Sequence, residues 1–460
     1  MRILKDLYTP KSLEGRELVL DADGDTTITA DTDDQIDVKI SGADDFQFTA
    51  DTFTAAASSI VALDDGAVGA PALTNTGDLN TGVYFPAADT VGVTAGGTEQ
   101  FRFGSNPIPG GSKNMLINGS MAVAQRGTLT GQGGSDFYTT CDRWKLDDTN
   151  GMQARYTTSQ GTSGGVSGKD PWLSINVTTA EAAVASNEKN GWNQFVEGNN
   201  ARQLINSSGQ LKASAVSFDV KFKKGGSSSL SAPYTMCVTL ICENNAYGWV
   251  EEISITADDT WEHKSFNIDA LAQAASDVDN SSGYRLQFVM MAGTTYNDGN
   301  AGWGSNGAGD PATSNQDNLA DATGNILGIT NVQWEVGSVA TDFAHEDIGT
   351  TLQKCQRYYY QIDAGSMRFL LGAYDSTNAA GDRITHPTTM RASPTVTDTD
   401  SDWASAKDGA QHDSSVVSSY QADNFAFKYN MSSVAAQDQG EVYFAYTPSA
   451  VGLITFSAEI

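Results

Sequence analysis

The chain has 460 residues, with 27 basic against 56 acidic side chains and a formal net charge of −29. That balance, with no Lys/Arg cluster, excludes nucleic-acid binding by phosphate neutralisation, and no stretch approaches the ~20 apolar residues of a membrane-spanning helix. Hydrophobic residues reach only 39% while glycine numbers 46, a composition that suits an all-β chain of many short strands and turns.

The N-terminus, Met1-Arg-Ile-Leu-Lys-Asp-Leu-Tyr8, carries charges and no apolar run of signal-peptide length. The expectation is a protein made in, and left in, a cytoplasm. From Leu18 the chain alternates: Leu18 and Leu20 flank Val19, and Ile36, Val38 and Ile40 alternate with Asp37 and Lys39. This is the period-2 pattern of strands with one face buried. Thr29-Ala-Asp-Thr32 recurs as Thr49-Ala-Asp-Thr52, which suggests stacked β units. Such short strands bury little surface alone, so a homo-oligomer, a trimer with Ile and Phe on its axis, is expected.

Asp21-x-Asp23-Gly-Asp25 is the one candidate for a structural Ca²⁺. Its glycine stands at the fourth position where an EF-hand loop has it sixth, and Thr32 stands where the bidentate Glu belongs. Solvated turn aspartates are the favoured reading, with no metal site assigned.

Residues 75–103 read as three strands: Gly82 to Phe85, a turn at Pro86, Thr90 to Thr94, an Ala95-Gly-Gly turn, and Gln100 to Phe103. The run Gly82-Val-Tyr-Phe-Pro86, then Thr90-Val-Gly92, Gly97-Thr-Glu99 and Arg102, resembles a module of tailed-bacteriophage tail-fibre proteins. Ser105 to Ser112, with two prolines and paired glycines, reads as a linker.

The same resemblance returns at Asn114-Met-Leu-Ile-Asn-Gly119, Gln125-Arg-Gly127, Tyr138 and Asp142-Arg-Trp144. It returns again at Gln333, Glu335, Gly337, Ala340, Thr341 and Phe343. In that family these segments bracket a jelly roll similar to carbohydrate-binding modules, which implies a β-sandwich over 113–346. Strands are read at 171–177, 214–222, 234–242, 247–255, 261–268 and 284–291, spacing that suits two sheets. Cys237 and Cys242, five apart on one strand, point to opposite faces and do not pair. All four cysteines are expected as free, partly buried thiols.

Seven of the eight tryptophans fall in this region. Trp144, Trp261 and Trp334, on strand-like stretches, read as packing residues with bonded N–H groups. Trp303 sits in a long Gly/Asn/Asp/Ser run, 297–325, and is the candidate ligand-binding residue, because loops of that length are commonly functional. No catalytic set emerges. Glu251-Glu252 and Asp258-Asp259 are strand neighbours facing opposite ways, and the four histidines lack metal spacing. The chain is therefore not expected to be an enzyme.

Gly349 to Gln361 is the clearest helix, with Leu352, Cys355 and Tyr359 on one face and Asp347 or Thr350 as its cap. Leu352-x-x-Cys-Gln-Arg-Tyr-Tyr359 and Pro387-x-x-Met-Arg-Ala-x-Pro-Thr-Val396 again resemble the tail-fibre family. Taken together, the reading is all-β: 1–20 a virion attachment segment, 21–104 a β stalk, 105–112 a linker, 113–346 the jelly roll, and 347–460 a small β domain with one helix. The resemblance implies a virion tail-fibre protein that binds a host surface glycan or receptor, with other virion tail proteins as partners and no membrane insertion. The alternatives are a purely structural virion part and, further off, a polysaccharide depolymerase.

Overall fold

The computed structural model describes residues 16–30, 32–56, 59–103, 113–148, 151–243, 247–274, 279–297, 299–304, 310–363, 368–373, 378–381, 384–398, 403–407, 410–432, 442–446 and 453–460. Among the described residues the chain is all-β, with one 3-10 turn (Gly198–Leu204) and one α-helix (Ile348–Gln356). It divides into two compact units, Met1–Pro107 and Ile108–Ile460.

In the N-terminal unit, β1 (Leu18–Val19), β2 (Thr27–Thr29), β3 (Ile36–Ile40), β4 (Ala43–Phe48) and β5 (Phe53–Ala55) form one antiparallel meander in sequence order. Of the two Thr-Ala-Asp-Thr copies, Thr29 ends β2 and Thr49 follows β4, strands that run in the same direction, and Asp31 lies outside the described residues. The strands that carry the repeat belong to one sheet and not to stacked units. The alternation is present, but with its polar row shielded: Asp37 is 3% exposed while Ile36 is 48% exposed. Asp37 is satisfied by Gln35 Nε2 at 2.8 Å. Leu18, Ile28, Ile40, Phe48 and Phe53 are likewise open to solvent in the single chain.

A short ladder, β6 (Gly66–Ala67) with β7 (Ala70–Pro71), precedes a four-stranded sheet of β8 (Leu73–Asn75), β9 (Asp78–Ala87), β10 (Thr90–Ala95) and β11 (Thr98–Phe103), ordered β11-β10-β9-β8. The turn expected at Pro86 falls at Ala88–Asp89, because β9 continues through the proline. Pro86 lies where the β9–β10 register shifts, and an irregular ladder tolerates a residue with no N–H.

The second unit opens with β12 (Leu129–Gln132), β13 (Phe137–Tyr138), β14 (Lys145–Asp148), β15 (Arg155–Gly161), β16 (Trp172–Thr179), β17 (Lys189–Glu197), β18 (Gln210–Leu211) and β19 (Ser214–Lys223). There follow β20 (Tyr234–Cys242), β21 (Gly248–Ile255), β22 (Glu262–Ile268), β23 (Leu271–Ala274), β24 (Ser282–Ala292), β25 (Gly302–Gly304) and β26 (Ile326–Val336). One sheet is ordered β12-β15-β16-β26-β19-β22 and the other β13-β14-β17-β24-β20-β21-β25. The inner sets, β16-β26-β19-β22 and β17-β24-β20-β21, follow jelly-roll order.

Alternation explains the core. Leu173, Ile175 and Val177 of β16, Val216, Phe218 and Val220 of β19, and Leu327 and Ile329 of β26 face Trp192, Val238, Leu240, Leu286 and Phe288 of the other sheet. Phe218 and Phe288 meet edge to face across the sandwich at 5.0 Å. Truncating such a side chain to Ala costs about 3–5 kcal/mol. Cys242 belongs to this core, while Cys237 faces a small cluster with Val250, Val289 and Ala312 on the opposite side. All four cysteines are free and buried.

The helix is shorter than expected. It spans Ile348–Gln356, and Asp347 caps it by accepting from Gly349 N and Thr350 N. The backbone then enters a strand, Tyr359–Asp363, which pairs with Leu453–Ser457, itself paired to Thr395–Asp398. Adjacent tyrosines favour a strand, and contacts described below hold them against the sandwich. Seven further strands between Arg368 and Ser432 and at Val442–Tyr446 form a separate sheet.

Candidate functional site

The residues that carry the tail-fibre resemblance are structural. Asn114 Nδ2 donates to Val332 O at 2.8 Å, and its Oδ1 accepts from Trp334 N at 3.0 Å. The opening segment is thereby laid along β26. Gly119 is required there, since a Cβ would meet Val332 O at 2.0 Å. Glu335 accepts from Thr341 N and Gln333 Nε2, and Gln333 Oε1 accepts from Ala344 N, all at 2.8–2.9 Å.

Four other motif residues, Gln125, Arg126, Tyr138 and Arg143, clamp the C-terminal domain. Gln125 Nε2 donates to Tyr359 O at 2.9 Å. The Arg126 guanidinium lies 3.5 Å over the Tyr359 ring and 3.1 Å from Glu459. Arg143, buried, stacks 3.6 Å over Tyr358 and pairs with Glu459. Tyr138 donates to Ile460 O at 2.5 Å, and Tyr358 donates to Glu197 at 2.7 Å.

Trp303 is half-buried in β25, which adds an edge strand to β21 and sets Trp303 opposite Trp249. The two rings meet edge to face at 5.8 Å, and Trp303 Nε1 donates to Asp269 O at 2.7 Å. The later part of the polar run folds back on β20. Cys237 N donates to Gln316 Oε1 and Thr235 N to Asp317 Oδ2, both at 2.7 Å. Gln316 and Asp317 thus serve as acceptors for backbone N–H groups.

A different aromatic pair stands on the outer face of the six-stranded sheet. In β16 the core residues Leu173, Ile175 and Val177 leave Trp172 pointing outward. Trp261, expected as a packing residue, precedes β22 on that same outer face and is half-buried. The indoles meet edge to face at 5.6 Å. Both N–H groups are anchored to one loop: Trp172 to Ser163 O at 3.0 Å, Trp261 to Gly164 O at 2.8 Å.

Glycines make room beneath them. A Cβ on Gly161 would meet the Trp172 ring at 2.2 Å, and one on Gly328 would meet Trp172 at 3.0 Å and Trp261 at 3.1 Å. Lys221 Nζ sits 4.6 Å and 5.1 Å from the two ring centroids and 3.5 Å from Asp259. One row further, Asp219 is held by His263 Nδ1 at 2.9 Å and Asn331 Nδ2 at 2.7 Å. The result is an anchored aromatic platform of two near-perpendicular rings with Lys221 over both, and with a carboxylate, an imidazole and an amide alongside.

Glu251 and Glu252 are split as expected for strand neighbours, whereas Asp258 and Asp259 lie in the turn between β21 and β22. Glu251 accepts from Trp249 Nε1 at 3.1 Å, while Glu252 accepts from Asn315 Nδ2 at 3.0 Å across the other face. At the N-terminal turn the carboxylates of Asp21, Asp23 and Asp25 lie within 4.8 Å of one another. Asp21 Oδ1 accepts from Gly24 N and Thr26 N at 3.2 Å, the arrangement of a solvated turn.

No family model matches the sequence, and no curated protein matches it. The chain is similar to the solved structure of TmCBM61 in complex with beta-1,4-galactotriose, with TM-score 0.23 and 10% identity over 49% of this chain and 100% of that one. It is also similar to the CBM22-1-CBM22-2 tandem domain of Paenibacillus barcinonensis Xyn10C, with TM-score 0.22 and 10% identity over 75% and 96%. A third is the receptor binding domain of botulinum neurotoxin type G, with TM-score 0.18 and 7% identity over 73% and 98%.

Proposed function

We propose that this chain is a tail-fibre protein of a tailed bacteriophage that binds a glycan on the host surface. The observation that carries glycan binding is the Trp172–Trp261 platform. Its rings are fixed by their N–H bonds and by glycines beneath, so little side-chain freedom is lost when a sugar ring stacks. Phage origin is supported by the short motifs that resemble tail-fibre proteins.

The meander of the N-terminal unit supports assembly with further copies. Fifteen of the nineteen exposed large apolar side chains among the described residues lie between Leu18 and Val91, so this unit is where copies bury surface. Three chains with weak sites would gain avidity by engaging together. The role proposed is binding without turnover, in a protein carried on the virion.

Adsorption competition tests the reading. Purified protein added to susceptible cells before phage should block adsorption in a dose-dependent way. Trp172→Ala and Trp261→Ala should lose the block while keeping the wild-type circular dichroism spectrum. A saturating dose of assembled protein with no effect would overturn receptor binding and favour a purely structural virion part. Release of reducing sugars from host polysaccharide would instead show a depolymerase.

A further inference from the structure

Strand register puts a lysine at the centre of the platform. On β19, Asp219, Lys221 and Lys223 alternate with the core residues Val220 and Phe222 and so face outward. Lys221 lies in register with Gly328 of β26, whose missing side chain leaves the ammonium room to approach both indoles. Its side chain is only 13% exposed, so the charge is largely withdrawn from water and favours acceptors close by.

The acceptors present do not match that need. Asp259 is the one carboxylate paired with Lys221 among the described residues, at 3.5 Å, longer than the ~2.7–2.9 Å of a close charge-assisted bond. Lys223 reaches the same carboxylate at 3.0 Å. Two lysines thus share one carboxylate, and the surplus is one positive charge. Asp219, the next outward residue on β19, is taken by His263 and Asn331. The indole faces attract the ammonium but offer no lone pair to its three N–H donors.

The chain's net charge of −29 does not cancel this surplus. Charges farther off than about 10 Å are largely screened at 0.1 M salt, so a group that touches the rings responds chiefly to Lys221, Lys223 and Asp259.

We propose that the ligand of the platform is an acidic glycan, whose anionic group pairs with Lys221 while its sugar ring stacks on Trp172 and Trp261. This rests on the glycan-binding reading of the platform.

The test uses the full-length chain and two sets of bacterial surface oligosaccharides, titrated by calorimetry. One set contains a hexuronic acid and is compared with its carboxyl-reduced form. The other bears a phosphate and is compared with its dephosphorylated form. In at least one set wild type should bind the acidic form about tenfold more tightly or better, the equivalent of one charge-assisted hydrogen bond, and the set that shows it identifies the anionic group. That preference should shrink between 50 mM and 500 mM salt. Lys221→Met, which keeps an apolar stem between the rings, should remove the preference and leave binding of the neutral form unchanged. Asp259→Asn, at a left-handed turn position (φ 48°) that asparagine accepts, should increase it by removing the competing carboxylate. Trp261→Ala should lose both forms. Equal binding of acidic and neutral forms by wild type in both sets, or a preference that survives Lys221→Met, would overturn the acidic ligand and leave the platform standing. Wild-type protein that binds no oligosaccharide would overturn both.

Discussion

Asp142 shows how a motif residue is tuned by its surroundings. Burial pushes its carboxyl up to about 6, against the pull of Arg126 and of the Gln125 hydrogen bonds. Asp148 is also pushed up to about 6, again chiefly by burial. A raised carboxylate pKa means that the folded state holds the proton more tightly than the unfolded chain. The resulting stability is complete below the unfolded value near ~3.9 and is lost as pH rises through about 6. The melting temperature should therefore fall between about pH 4 and pH 6, and Asp142→Asn should flatten that slope. Calorimetry across the range checks the sign, and stability that climbed with pH would contradict it.

At the scale of elements, Glu459 and Ile460 bind the C-terminal domain to the sandwich. Arg143 has a side chain only 1% exposed, and Glu459 supplies its carboxylate. Glu459→Ala strands a buried guanidinium, and breaking such a pair costs about 3–5 kcal/mol. Glu459→Gln, which keeps an acceptor, should cost less, and equilibrium unfolding in urea compares the two. At the helix, Asp347→Ala removes the acceptor for Gly349 N and Thr350 N and should cost about 1 kcal/mol. The helix was legible from its spacing and cap. Its early end was not, because the tyrosines that follow are placed by Arg126, Arg143 and Glu197, residues distant in the chain.

For the whole molecule, the exposed apolar row of the meander makes the oligomeric state the decisive quantity. Light scattering behind a sizing column should give about three times the 48.6 kDa chain mass. Removal of residues 1–112 should weaken association, so that fewer copies elute together, and a full-length monomer would contradict the proposed assembly.

By itself the sequence determined the all-β class, the six strands read in the sandwich, the opposed faces of Cys237 and Cys242, and the capped helix. Each follows from spacing a few residues long, which the backbone period converts directly into geometry. Trp172 was also within reach, since it is out of phase with Leu173, Ile175 and Val177. Tertiary structure alone decided that Gly161 and Gly328 lie under its ring, and that Trp261 completes the platform from a segment distant in the chain. It also decided that Gln125, Arg126, Asp142 and Arg143 meet Tyr358, Tyr359 and Glu459. These are contacts between segments up to hundreds of residues apart, fixed by strand order and register, and no local pattern encodes either.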